Sequence, residues 1–251
     1  MNLMRPPQRA FTLIELLVVI GIMALIAAIA APSLRRMRQS DLMAAANRQL
    51  LDDLASARQR AIVGHTTVYM LFMPPVPLNH PAAGPPLDDP HEQLLLDHQQ
   101  TSYALYVQRT VGDQPGQPNE SYLTDWRSLP QGVFIPTWKF ANAADRFQYA
   151  TNIPVPKIDS PILLDMPYVA FDYQGRLVLE GLPNTTNEVF VPFARGFVDY
   201  QKDAATGLLR WAPPDAVEDP PANSTDPNMF NHIVIDWITG RAKVVRREIA
   251  P

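Results

Sequence analysis

Cysteine is absent from all 251 residues, which excludes disulfides, thiolate metal centres and thiol nucleophiles. The absence assigns no compartment, because a protein can simply do without the residue. The chain also lacks a phosphate-binding glycine loop, an H-E-x-x-H helix and a G-x-S-x-G elbow, and no enzymatic activity is expected of it. Charge is sparse at 18%, with a net −4 that argues against a general nucleic-acid binder. An apolar content of 47% excludes a disordered chain, and the length allows one or two domains with a core that needs no staples. Proline is the residue in excess, at 26 positions, about twice the usual roughly 5%.

Two local absences organise the N-terminus. Leu16 to Leu34 is 19 residues without a charge, about 28 Å of helix at ~1.5 Å per residue. With Phe11 to Glu15 added, the run is long enough for a hydrocarbon core of about 30 Å, and a transmembrane segment over about 11–34 is expected. A cleaved secretory signal, with Ala28-Ile29-Ala30 as its small-residue site, is the alternative. Three features weigh against it. The run exceeds an ordinary signal core, Arg35, Arg36 and Arg38 follow it at once, and Glu15 sits inside its apolar start, where an unpaired carboxylate is expensive. Arg5 and Arg9 before the run balance the arginines after it, so positive-inside counting does not orient the helix.

Arg9-Ala10-Phe11-Thr12-Leu13-Ile14-Glu15-Leu16-Leu17-Val18-Val19-Ile20 resembles the class III signal of type IV pilins and pseudopilins. The resemblance implies a leader at residues 1–10, cut between Ala10 and Phe11 by a prepilin peptidase that then methylates the Phe11 amine. Ala10 departs from the family's usual glycine but is also small. The resemblance further implies a single-pass protein of the bacterial inner membrane, with its head in the periplasm or outside. Its expected partners are other pilins or pseudopilins, an inner-membrane assembly platform and membrane lipid. In a packed fibre, Glu15 of one subunit can pair with the Phe11 amine of its neighbour, neutralising both charges in low dielectric and fixing register.

Between Ser33 and Val63 there is neither Gly nor Pro, and Met43, Ala46, Leu50, Leu54, Ala57 and Ala61 form one apolar stripe. A long helix over 11–63 is expected, with Gly64 as its C-cap. Pro32 is expected to kink it near the membrane exit, or else to begin a separate helix. Beyond it, 64–251 reads as a β-rich head. Thr66–Met73, Ser102–Gln108 and Glu188–Phe193 have strand character. Tyr168–Leu179 and His232–Val245 read as hairpins turning at Gln174-Gly175 and Thr239-Gly240. The expected fold is α+β, a long N-terminal helix packed on an antiparallel sheet in the pilin manner.

Leu54–Ile62, the strand after it, Phe171-Asp172-Tyr173-Gln174-Gly175-Arg176 and the closing Thr239-Gly240-Arg241 are similar to the minor pseudopilin H group of type II secretion. That likeness implies a minor or tip subunit of a pseudopilus or pilus. Seven prolines in 74–90 and five in 213–227 read as exposed polyproline excursions, either decoration or a partner-recognition arm.

Candidate ligand sites are weaker. Asp88, Asp89, His91, Glu92, Asp97 and His98 match no fixed metal spacing. Asp215, Glu218, Asp219 and Asp226 offer oxygen ligands for Ca²⁺, as in some major pseudopilins, but a solvated loop is the preferred reading, and no cofactor is expected. Trp126, Trp138, Trp211 and Trp237 read as core or strand aromatics rather than a binding platform. Arg241, Lys243, Arg246 and Arg247 form the one basic cluster of the head. They are candidate DNA-binding residues, as in the DNA-uptake minor pilins that Gly240-Arg241-Ala242-Lys243 resembles, or a charged edge strand that blocks aggregation. Net charge divides unevenly: five Arg and one Glu give +4 over residues 1–38, and 16 basic against 24 acidic residues give −8 over 39–251.

Overall fold

The computed structural model describes residues 13–76, 90–113, 119–136, 148–178, 188–218 and 231–245, with the backbone alone for 29–40, 91, 92, 148, 188, 231 and 232. Helix α1 runs unbroken from Leu13 to Gly64, so Pro32 does not begin a separate helix. The chain divides into two compact units, residues 1–41 and 42–251, and the sheets belong to the second. Gly64 is the last helical residue rather than the left-handed cap. His65 takes that role with φ 46°, its N–H bonding Ile62 O at 3.4 Å while Thr66 N bonds Ala61 O at 3.2 Å. This is the paired bonding of a Schellman cap.

After α1 come β1 (Val68–Phe72), α2 (Pro90–Leu96), β2 (Ser102–Val107), β3 (Ser121–Tyr122), β4 (Arg127–Ser128), β5 (Val133–Phe134) and β6 (Gln148–Pro154). Then follow β7 (Leu163–Phe171), β8 (Glu188–Asp199), β9 (Asp215–Glu218), β10 (Asn231–Asp236) and β11 (Ala242–Val245). They form two antiparallel sheets rather than one. The six-stranded sheet has the order β3-β2-β1-β7-β6 with β4 beside β2, and the five-stranded sheet β11-β10-β8-β5 with β9 beside β8. The hairpin β10–β11 forms as expected, His232 opposite Val245. In the first expected hairpin, β7 turns at Asp172–Gly175 and returns among the described residues as a bridge from Leu177 to Phe171, with Val178 N bonding Ala170 O at 2.9 Å; Leu179 lies outside the described residues.

Both sheets close on the second half of α1. Ala46, Leu50, Leu54, Ala57 and Ala61 are fully buried in one core with Val68, Met70 and Phe72 of β1, Val191 and Phe193 of β8, and Ile233 and Ile235 of β10. The alternate residues of the six-stranded sheet, Leu71, Tyr106, Leu164 and Met166, enter a second core with α2 and Trp211. This sheet is therefore buried on both faces, which is why β1 and β2 read as continuous apolar runs. The proline-rich stretches also differ from solvated excursions where they are described. Pro74 and Val76 are buried, Val76 N donating to Gln99 Oε1 at 2.8 Å, and Asp215–Glu218 is the edge strand β9. Residues 77–89 and 219–230 lie outside the described residues.

Polar contacts fix the helix in register with the sheets. The Tyr103 hydroxyl donates to Asp53 Oδ2 at 2.6 Å, and Arg127 pairs with Asp53 Oδ1. Gln49 Nε2 donates to the Tyr103 hydroxyl and to Ser128 O, both at 2.9 Å. One turn further along, Arg58 Nε donates to Gly175 O at 3.1 Å and to Thr239 O at 2.8 Å. That guanidinium clasps the turns of both hairpins to α1. The turns lie so close that a Cβ on Gly240, whose φ is +62°, would stand 2.1 Å from Gly175 O. A Cβ on Gly175 would meet Ile62 Cδ1 at 2.7 Å. Leu54–Ile62, Phe171–Arg176 and Thr239–Arg241 thus meet at one point.

Two predictions follow from this packing. Gly240→Ala adds steric overlap to a positive φ and should destabilise the head by about 1–3 kcal/mol or more. Arg58→Met, which keeps the stem and removes the two bonds, should cost about 1–3 kcal/mol. Denaturant titration of the full chain in detergent measures both, and an unchanged midpoint for Gly240→Ala would refute the close approach.

Burial holds the hydroxyls of Tyr103 and Tyr122 protonated well above the usual tyrosine range, and the Asp53 carboxylate pushes Tyr103 further the same way. Tyrosines of the unfolded chain ionise near about pH 10. Their contribution is therefore complete below that pH and is lost progressively above it. In an alkaline titration, these tyrosines should ionise only as far-ultraviolet circular dichroism is lost; ionisation with the fold intact would contradict their burial.

Candidate functional site

The first turn of α1 contains Glu15, and the side chains around and after it are apolar on every face. From Leu13 to Ala28 each described residue is exposed, the large apolar ones from 82% at Leu13 to 40% at Val19. An all-round apolar helix has no solvent-facing side, so it needs an apolar environment that no described part of the chain supplies. Residues 42–64 of the same helix are the reverse case, with their apolar stripe covered by the chain's own sheets. Among the described residues, no helix is long and apolar enough to cross a membrane. The described side chains of the apolar run stop at Ala28, and residues 11 and 12 and the side chains of 29–34 lie outside the described residues. The expected span over 11–34 is therefore covered only in part.

Of the expected processing and assembly residues, Glu15 and Pro32 are placed on α1, while Ala10 and Phe11 lie outside the described residues. In the basic cluster, Arg241 and Lys243 are exposed. Lys243 lies on β11, the edge strand of its sheet; the nearby Asp236 carboxyl is held below the usual range by its hydrogen bonds from Thr239, with Lys243 adding a smaller effect in the same direction. Arg246 and Arg247 lie outside the described residues.

Among the described residues, no three His, Cys, Asp or Glu side chains come together in a way that could hold a metal ion. Asp97 and His98 follow α2, burial lowering the His98 pKa, while Asp88 and Asp89 lie outside the described residues. In the calcium candidate, Asp215 is exposed and Glu218 buried at opposite ends of β9, and Asp219 and Asp226 are not described. Trp126 donates to Pro156 O at 2.8 Å and Trp211 is buried. Trp237 is partly exposed in the β10–β11 turn, and Trp138 is not described.

Sequence reasoning missed the clasp residue Arg58 and the latch residues Gln49, Asp53, Tyr103 and Arg127. Their pairings span 50 to 181 positions along the chain, and no local pattern marks contacts at such separations.

Comparison with protein families gives a match over residues 5–31 to the prokaryotic N-terminal methylation motif. Comparison with curated proteins and with solved structures gives no match. The matched stretch runs from the first arginine through the uncovered part of α1, and the proteins that carry this motif are structural subunits rather than enzymes. The chain carries a prepilin-type N-terminal methylation motif and is similar through it to the type IV pilin-like subunits of pili and pseudopili.

Proposed function

We propose that the protein is a non-enzymatic, prepilin-like subunit that is cut between Ala10 and Phe11, methylated on Phe11, held in the inner membrane by the start of α1, and polymerised through that helix. The observation that carries this reading is the motif match over residues 5–31 on a helix whose residues 13–28 are exposed and, apart from Glu15, uncharged and mostly apolar. An apolar helix start can leave lipid only for another apolar environment, and neighbouring helices in a fibre provide one. Glu15 then sets the axial register of an incoming subunit by pairing with its neighbour's Phe11 amine, since a carboxylate in low dielectric favours a cationic partner.

Within this reading the protein is a minor or tip component of a type II secretion pseudopilus or a type IV pilus. The two sheets and the second core make a large head, which suits an end position better than a uniformly packed shaft. The DNA-uptake alternative draws on Arg241 and Lys243 alone among the described residues, and no observation favours it over the charged-edge reading.

Mass spectrometry of the mature protein should find N-methylphenylalanine at position 11; a mature start near Ala31 would show an ordinary secretory signal and overturn the proposal. Separately, Glu15→Leu should leave cleavage intact and reduce filament incorporation by tenfold or more, on the scale of one lost buried pair at about 3–5 kcal/mol. Incorporation equal to wild type would remove the role assigned to Glu15.

A further inference from the structure

The head carries two exposed patches that are each apolar at the centre and of opposite charge. The first lies on the two clasped turns. Tyr173 in the β7 turn is 56% exposed, and Trp237 and Ile238 in the β10–β11 turn are 37% and 53% exposed. The turns are held side by side by Arg58 and by the bond from Leu177 N to Trp237 O at 3.1 Å. Arg176 and Arg241 flank these residues and are exposed. Against Arg58, Arg176, Arg241 and Lys243 stand Asp172 and Asp236. Both acids are spent on their own turns: Asp172 Oδ1 accepts from Gln174 N and Arg176 N, and Asp236 Oδ1 accepts from Thr239 N and Oγ1. In a head of net charge −8 over residues 39–251, this patch is locally positive.

The second patch lies on the β8–β9 ribbon. Phe197 is paired with Val217, and Asp199 with Asp215. Strand alternation puts all four on one face, and all four are exposed. Carboxylates directly opposite each other across an antiparallel pair repel and destabilise the ribbon. Among the described residues of β8 and β9, Arg195, half-buried two residues before Phe197, is the basic side chain that the same alternation brings to that face. Two carboxylates side by side next to a bare Phe–Val pair are suited to a guanidinium and an apolar side chain arriving together, and the turn patch presents that combination. Arginine and aromatic residues around an apolar centre are the composition of interface cores.

We infer that the clasped-turn patch docks on the β8–β9 face of a second copy of this chain. Because the two surfaces are different, the contact is heterologous rather than a closed pair, and a minor component present in two adjacent copies makes it once. The complementary charge on the same molecule designates the second copy as occupant. A polyanion such as DNA is disfavoured, because the surrounding acidic head repels it. The inference goes beyond the reading of the N-terminal helix, since it concerns surface residues of the head and none of residues 1–41.

The absence of native cysteine gives a direct test. Full-length chains carrying only Val217→Cys and full-length chains carrying only Ile238→Cys are oxidised separately and mixed, in membranes. The mixture should give cross-linked dimers, and each variant alone should give at least tenfold fewer. Adding Asp199→Lys and Asp215→Lys to the Val217→Cys chain should lower the yield about tenfold or more, and Arg241→Glu with Lys243→Glu on the partner chain should restore it. No cross-link in the mixture, or an equal cross-link from either variant alone, overturns the inference. So does loss of DNA retention on Arg241→Glu and Lys243→Glu with the cross-link yield unchanged, which would assign the patch to a polyanion. Filaments that form without the cross-link refute this contact alone, whereas cross-links in a chain that is never cut before Phe11 refute the processing proposal alone.

Discussion

Ala46, Leu50, Leu54, Ala57 and Ala61 form the surface on which everything in the head closes. Both sheets direct their inward residues at this stripe, so the second half of α1 stands at the centre of the main core rather than on its outside. Removing a leucine side chain from water is worth about 1.5–3 kcal/mol, and the two buried leucines bring residues from β1, β2, β7, β8 and β10 to a common centre. The Asp53–Tyr103–Gln49 contacts and the Arg58 clasp then choose the register. Half-exposed Arg127 adds little energy to its pair with Asp53, and its role there is geometric. The same hydrophobic requirement acts on residues 13–28 with the opposite result, because no described part of the chain covers them. One helix thus makes two demands for an apolar environment, one met by the head and one left for lipid or for other helices.

This division gives the helix its functional meaning. The motif at residues 5–31 occupies the uncovered part, and the head's determinants begin at Leu42. The family motif and the folding of the head therefore draw on different residues of the chain. The clasp has a comparable economy. By pinning both hairpin turns to α1, Arg58 organises the fold and also holds Tyr173, Trp237 and Ile238 at the surface on rigid turns.

Much of this was legible in the sequence where the signal is local. The stripe from Met43 to Ala61 has helical spacing, and the 232–245 hairpin is marked by its Thr-Gly turn. The methylation motif is a contiguous string, and the comparison of families finds it at residues 5–31. Other features left weak or misleading traces. Gly64 looked like the left-handed cap, yet His65 adopts that conformation, because the helix runs one residue further than its apolar pattern. The two-residue strands β3, β4 and β5 are too short to show any period. Strand β9 is hidden among prolines, and β6 breaks register between Ala150 and Ile153. The two-sided burial of the larger sheet did have a signal, since Val68–Phe72 and Ser102–Val107 are apolar without alternation. The clasp and the Asp53 latch had none, being tertiary pairings between distant segments.

The central claim is that residues 13–28 of α1 lie in an apolar solvent that the chain does not provide. With no native cysteine, spin labels can be placed one at a time from Leu13 to Ala28 on the full chain reconstituted in a lipid bilayer. The account predicts that relaxation by oxygen exceeds relaxation by a water-soluble nickel complex at every position, with no helical periodicity. Nickel accessibility recurring along one face of the helix would mean that this face is in water, and would contradict the account.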